Sequence, residues 1–321
     1  MSEALERYLG DRLAQAQAMA GLSDEALRVK AVTAARDKDA ALLWELTLAS
    51  LISETSAGVR LSPHTLRAYK KGSEVLIAYA ANHAWNLLHP GQRQSGLYVA
   101  SLMALGLKPA TVQARIAAAS ALYRALRWAG ATDSDPFADV KRPRDATRGV
   151  VKNPPYRADF VQAMLAEADI QEQVLLLLLT HAGLRIAEAL AVEWSHVDLH
   201  RKRLLVAHGK GDKARVVPLS ARLREALGIL RTETSGTGRL LSFQAYSSAY
   251  ERLQKLALKC GREHEFRGFH AGRKYAGTKL YAAVKDFTRV ASFLGHEQVD
   301  TTRRYVELPE DDLESVVEDF Q

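Results

Sequence analysis

Cysteine is almost missing from this chain: its 321 residues hold one, Cys260. A lone thiol excludes an intrachain disulfide and any zinc site built from paired cysteines, and it suits a reducing compartment. Long apolar runs are missing too. No stretch approaches the roughly 20 residues that span a bilayer, and the N-terminal MSEALERYLGDRLAQ lacks the basic-then-apolar layout of a signal peptide. The expectation is a cytoplasmic protein with no membrane partner. Low-complexity tracts and internal repeats are absent as well. What is present is the composition of a folded protein, 47% hydrophobic and 25% charged, over a length that suits two domains better than one.

The formal charge of +7 is unevenly spread. Residues 1–50 carry 6 basic and 8 acidic side chains, and residues 307–321 carry 7 acidic ones and none basic, which leaves +16 for residues 51–306. A basic body beside an acidic tail points to a polyanion partner, because Lys/Arg clusters attract phosphates and release their counterions.

Punctuation along the chain suggests the organisation. Residues 1–50 are rich in Ala, Leu, Glu and Arg and read as an accessory helical segment, with Gly21 ending one helix and Ser23 capping the next. Residues 51–140 read as a helical domain, with helix starts at Ser62-Pro63 and near Thr111. Residues 141–158, KRPRDATRGVVKNPPYRA, hold three prolines and six basic residues and read as a basic linker. Residues 159–321 form the second domain. There, Asp159 to His181 reads as a helix whose VLLLLLT run is buried all round, and two short β-branched runs flank Gly209-Lys210-Gly211-Asp212, a hairpin signal. The fold class is mainly α with a small antiparallel β-sheet: an all-helical N-terminal domain followed by an α+β domain.

Phosphoryl transfer without a metal needs a nucleophile, fixed cations for the equatorial oxygens and an acid for the leaving oxygen, since the transition state spreads negative charge. The second domain has a residue for each task. Arg185 follows the buried helix at a Gly183 break, and Glu188 lies one turn on, placed to pair with it. Lys210 sits between two glycines at the hairpin tip. His270 and Arg273, three apart, share a helix face. His296 follows Leu294-Gly295, with Tyr305 nine residues later. Each has a commonplace alternative: a surface arginine paired to Glu188, a solvated lysine, a helix-start histidine, a core tyrosine. A tyrosine of ordinary pKa near 10 is a poor nucleophile unless cations stabilise its phenolate.

The ordered set Arg, Lys, His-x-x-Arg, His, Tyr resembles the tyrosine recombinase (phage integrase) family, and the local strings carry the likeness. HAGLRIAEAL resembles the family's first arginine box, GKGDKARVVPL its lysine hairpin, and LGHEQVDTTRRY its LGHxxxxTTxxY motif. SPHTLRAYKKGSEVL, KPATVQARIAAASALYRALRWAG and DPFADVKRPR resemble the core-binding domain and its exit, so the likeness covers roughly residues 60–307. One box departs: the family pattern HxLRHTfAt stands against HAGRKYAGT, with Gly272 for the leucine and Lys274-Tyr275 for the following pair.

The resemblance implies a Xer-like site-specific recombinase that needs no cofactor and no metal. Tyr305 is then the nucleophile forming a 3′-phosphotyrosyl link, with Arg185 and Arg273 clamping the phosphate. Lys210 becomes the acid for the leaving oxygen, His270 assists the tyrosine's proton, His296 donates a hydrogen bond, and Glu188 supports Arg185. The partners implied are double-stranded DNA, embraced by the two domains as a C-shaped clamp, and further recombinase copies, four on two DNA sites. Arg67, Lys70, Lys71, Arg115 and Arg124, with Lys141, Arg142 and Arg144, are the expected DNA contacts. The acidic tail, with Leu308, Leu313, Val316, Val317 and Phe320 near helical spacing, docks either on a neighbouring protomer or within its own. Localisation with the nucleoid follows, and the biological outcome is integration, recombination or chromosome dimer resolution. The alternatives are a type IB topoisomerase and a DNA-binding protein with a decayed site.

Overall fold

The computed structural model describes residues 3–55, 58, 61–91, 93–144, 153–207, 214–296, 301–302 and 306, with side chains from residue 10 onward. The chain divides into two units, Met1–Ala146 and Thr147–Gln321, and the division falls inside the proline-rich basic stretch.

The first unit contains α1 (Glu3–Ala20), α2 (Asp24–Asp37), α3 (Ala40–Glu54), α4 (Pro63–Asn82), α5 (Gln94–Ala104) and α6 (Pro109–Trp128). Side-chain caps set several of their starts. The Ser23 hydroxyl accepts from the Ala26 amide, Asp39 from the amides of Ala41 and Leu42, and Ser62 from that of Thr65, with Pro63 in the first turn. Residue 50 lies inside α3, and this helix packs against α1 and α2 as well as α4 and α6. One core results: Ala16, Met19 and Leu27 from the first helices join Leu43, Leu76, Tyr98, Ile116 and Leu122. Helices α4 and α6 approach closely at Gly72, where an added Cβ would stand 2.3 Å from the Cβ of Ala118.

The second unit contains α7 (Ala158–Glu167), α8 (Ile170–Thr180), α9 (Ile186–Ala191), β1 (Val197–Asp198), β2 (Arg203–Val206), β3 (Arg215–Pro218), α10 (Ala221–Glu233), α11 (Tyr246–Lys259), α12 (Phe269–Val284) and α13 (Phe287–Leu294). The single helix expected from Asp159 to His181 is two. Asp169 accepts from the Glu172 amide at 2.8 Å while the Glu172 carboxylate accepts from the Asp169 amide at 3.1 Å, a reciprocal cap that starts α8 anew. Every residue of α8 from Val174 to Thr180 is buried, and the helix packs against α10 and α12. It is the fixed post on which α12 is mounted.

The expected hairpin forms as β2 and β3, paired antiparallel with Leu204 opposite Val217, and β1 adds a short third strand in the order β1-β2-β3. Leu204, Val206 and Val217 face the core, while Leu205 and Val216 are exposed. The period-2 alternation thus decides which side chains point inward. The turn Gly209 to Asp212, and Lys210 with it, lies outside the described residues.

Candidate active site

Of the six catalytic residues expected from the sequence, Arg185, His270, Arg273 and His296 are described; Lys210 and Tyr305 lie outside the described residues, as does the tail 307–321. The four come from three segments. Arg185 is the N-cap residue of α9, His270 and Arg273 stand in the first turns of α12, and His296 follows Gly295, the left-handed cap of α13.

Glu188 lies at the centre. Its side chain is 3% exposed and accepts from Arg185 Nη1 at 2.8 Å and from the Arg185 amide at 2.9 Å. The same carboxylate accepts from Arg215 Nη1 at 3.1 Å and Nη2 at 2.8 Å, and Arg273 Nη1 stands 3.8 Å away. Pairing of Arg185 with Glu188, the commonplace reading of that arginine, therefore holds together with a second contact, from Arg185 Nη2 to the Gly295 carbonyl at 3.2 Å. Arg185 keeps a side chain 29% exposed, whereas that of Arg273 is only 1% exposed. Arg273 donates its two Nη groups to the carbonyls of Gly183 and Leu294, so it braces both loops from below. The two arginines are thus unequal: one faces outward and one supports.

Three guanidiniums surround one carboxylate, and burial and this positive charge together shift the titratable neighbours. Burial works against ionisation of Glu188, but hydrogen bonds from Arg215 and Arg185 outweigh it and hold the carboxyl at about 2. His270 keeps an exposed edge, yet crowding around its ring, followed by Lys274, Arg273 and Arg185, depresses it to about 4. His296 is lowered to about 3 by burial and then by Arg273, Arg185, His270 and Arg215. Both rings are neutral at pH 7, and the arginine field that adds to the effect of burial is one that attracts an anion.

The sequence reading missed Arg215 and Thr302. Arg215 opens β3 and shares the parity of buried Val217, so alternation alone would have pointed a basic side chain inward. Thr302 is fully buried, and its hydroxyl lies 2.8 Å from His296 Nδ1, which fixes the ring's orientation. No signal in the sequence separates it from Thr301.

The divergent box is accommodated. α12 runs unbroken through Gly272, and a Cβ there would stand 3.2 Å from the Cβ of Leu179 and 3.4 Å from Cγ2 of Thr180. Gly272 thus lets α12 lie close on α8, and the ring of Tyr156 borders the same spot. Tyr156 donates its hydroxyl to the Gly268 carbonyl at 2.8 Å and its amide to that of Ala271 at 3.3 Å. Lys274 is buried and donates to the Asn153 carbonyl, so it ties the end of the linker to α12.

The DNA contacts expected in the first unit are mostly surface residues. Arg67, Lys70 and Lys71 are exposed on α4, and Arg124 is exposed on α6 with Arg115 half-buried. Lys141, Arg142 and Arg144 are exposed, and Gln113 of α6 donates to the Pro143 carbonyl at 2.7 Å, anchoring this strip. Among the described residues no helix is long and apolar enough to cross a membrane.

Comparisons with known proteins bear on the family and the fold. The model of the phage integrase family matches residues 157–311, and that of the phage integrase N-terminal SAM-like domain matches residues 49–130. Tyrosine recombinase XerC of Alcanivorax borkumensis is 26% identical over 280 residues, covering 82% of this chain and 89% of its own length. XerC of Pseudomonas putida is 27% identical over 267 residues, covering 78% and 87%. Among solved structures, the XerH site-specific recombinase bound to palindromic difH substrate superposes with a TM-score of 0.68 at 16% identity, over 98% of this chain and 94% of that one. A lambda integrase dimer bound to a COC′ core site gives 0.59 at 16% identity, over 77% and 72%. With both domain models matched in order and Arg185, His270, Arg273 and His296 gathered in one cluster, the chain belongs to the phage integrase family, the tyrosine recombinases that cleave DNA and exchange its strands at specific sites.

Proposed function

We propose that the cluster around Glu188 is the catalytic centre for cutting and rejoining double-stranded DNA, with Tyr305 as the nucleophile. The observation that carries the reading is the convergence of Arg185, Arg273, His270 and His296, from three segments, into one positively charged cluster. In the forward step the Tyr305 oxygen bonds to the scissile phosphorus and the bond from phosphorus to the 5′ oxygen breaks. Lys210 supplies the proton to that leaving oxygen. The proton of the tyrosine passes to His270, whose ring is neutral at pH 7. Arg185, the outward-facing cation, contacts a non-bridging oxygen. Arg273, buried beneath it, adds its charge and contacts a second non-bridging oxygen. His296, held by Thr302, donates a hydrogen bond. Attack by another strand's 5′-hydroxyl reverses the step, and the phosphotyrosine conserves the bond energy, so no nucleotide is consumed.

Exposed Arg67, Lys70, Lys71 and Arg124, together with Arg115, Lys141, Arg142 and Arg144, serve as phosphate contacts of the first unit. Four copies assemble on two DNA sites through the acidic tail, which places the protein with the nucleoid in the cytoplasm. Deleting residues 309–321 is expected to abolish cooperative assembly while sparing single-site binding; unchanged assembly rules the tail out. The chemistry is tested by incubating the protein with nicked suicide duplexes from its own genome and looking for a denaturant-resistant protein–DNA adduct. Tyr305→Phe should lose the adduct, while Tyr275→Phe and Tyr281→Phe keep it; an adduct that persists in Tyr305→Phe refutes the assignment.

A further inference from the structure

We infer that Arg215 is a positioning residue for strand cleavage: it holds the Glu188 carboxylate and packs against Gly295, the two residues that bind the Arg185 guanidinium, and thereby sets where Arg185 meets the phosphate. The inference rests on the reading of Arg185 as a phosphate contact. Those partners are the Glu188 carboxylate, 2.8 Å from Nη1, and the Gly295 carbonyl, 3.2 Å from Nη2. Arg215 hydrogen-bonds the first and packs against the residue that carries the second. Its Nη1 and Nη2 donate to the two oxygens of Glu188 at 3.1 and 2.8 Å, a bidentate fork that fixes the plane of the carboxylate. Its Nε donates to the Phe293 carbonyl at 3.2 Å, and its side chain presses against Gly295, where an added Cβ would stand 3.0 Å from both Cδ and Nη1. Gly295 is at φ +67° in the left-handed region, so this seat requires glycine for its backbone as well as for space.

The anchor of this arrangement is the sheet. Arg215 begins β3 on the strand's inward parity, with a side chain only 12% exposed. β3 is the strand that leaves the turn bearing Lys210, five residues earlier in the sequence. One guanidinium therefore ties the strand after Lys210 to the first turn of α9 and to the cap that precedes His296. Charge sharpens the argument. By neutralising Glu188 through both of its oxygens, Arg215 leaves Arg185 bound to that carboxylate by one guanidinium hydrogen bond, with its remaining charge directed at an incoming anion. Without Arg215, Glu188 draws Arg185 and Arg273 inward.

The test is single-turnover adduct formation on a suicide duplex, together with duplex affinity from titration, for wild type, Arg215→Ala, Arg215→Lys and Arg185→Ala. Arg215→Ala is expected to slow cleavage about 100-fold, the scale of an ångström-level misplacement, while affinity changes less than about threefold because few phosphate contacts are lost. The acidic limb of its rate profile should move to higher pH, since one of the arginine charges that add to burial in lowering His296, alongside Arg273 and Arg185, is gone. Arg215→Lys, which keeps the charge and loses the fork, should restore the pH profile but only part of the rate, and it remains informative if the alanine variant fails to fold. The inference is overturned if a folded Arg215→Ala cleaves at the wild-type rate, if rate and affinity fall together, or if lysine restores the full rate. Normal cleavage by Arg185→Ala would instead bring down the reading of Arg185, and with it the inference.

Discussion

Replacing Glu188 by Gln probes the charge cluster most directly. The substitution keeps the shape and removes one negative charge. In the native site each carboxylate oxygen accepts twice: Oε1 from Arg185 Nη1 and Arg215 Nη1, Oε2 from the Arg185 amide and Arg215 Nη2. Whichever way a Gln amide is turned, its NH2 confronts two donors, so two hydrogen bonds vanish and three guanidiniums lose their counter-charge. Removing one partner of a buried pair costs about 3–5 kcal/mol. The depressed carboxyl gives a separate figure: a fall from 4.5 to about 2 corresponds to roughly 3 kcal/mol at about 1.4 kcal/mol per unit. Because the folded value lies below the unfolded one, this stabilisation is complete above about pH 4.5 and is lost as pH falls toward 2. A domain the size of the second unit shifts its Tm by about 2–4 °C per kcal/mol, so calorimetry at pH 7 should show Glu188→Gln melting roughly 6–20 °C lower. The gap should narrow at pH 3. A variant that melts with the wild type at pH 7, or a gap independent of pH, would refute the argument that Glu188 is the ionised hub.

Other perturbations separate packing from chemistry. Gly272→Leu restores the family's leucine but drives side-chain atoms into Leu179 and Thr180; urea unfolding should show a loss of about 1–3 kcal/mol, and an unchanged midpoint would show that α12 can lift off α8 at no cost. Thr302→Val removes the hydroxyl at His296 Nδ1 and should slow adduct formation by about tenfold or more, within the range of proton-transfer and hydrogen-bond effects, while the melting point moves little. The two clustered histidines should remain neutral in DNA-free protein down to about pH 4 for His270 and about pH 3 for His296. Their folded values lie below the ordinary 6.5, so the unfolded chain binds more protons in that window and stability falls as pH drops through it. Histidine NMR titration checks this directly, and midpoints near 6.5 would contradict it.

Much of the fold was legible because its signals are local. Ser23, Ser62-Pro63 and the β-branched runs around Gly209 to Asp212 act within a few residues of themselves, so helix starts and a hairpin could be read from them. The break between α7 and α8 was hidden because the apolar pattern continues across it; only the reciprocal cap of Asp169 and Glu172 shows that the chain restarts there. The thread from 1–50 into the first core was hidden for another reason. The apolar residues of α3 do not reveal which helices they meet.

By itself the sequence determined the kind of chemistry: the order and spacing of Arg185, Lys210, His270, Arg273, His296 and Tyr305, within a basic two-domain chain, are a one-dimensional property of the family. Which residues hold the site together was decided by tertiary structure alone. Glu188, Arg215 and Gly295 lie 27 to 107 residues apart in pairwise separation across the molecule, and their meeting depends on where α9, β3 and the end of α13 are packed. Arg273 shows the limit most clearly. The sequence places it one turn from His270, but only the fold shows it buried to 1% with its Nη groups on two backbone carbonyls, because a guanidinium in the core must satisfy its donors with whatever backbone the fold brings to it.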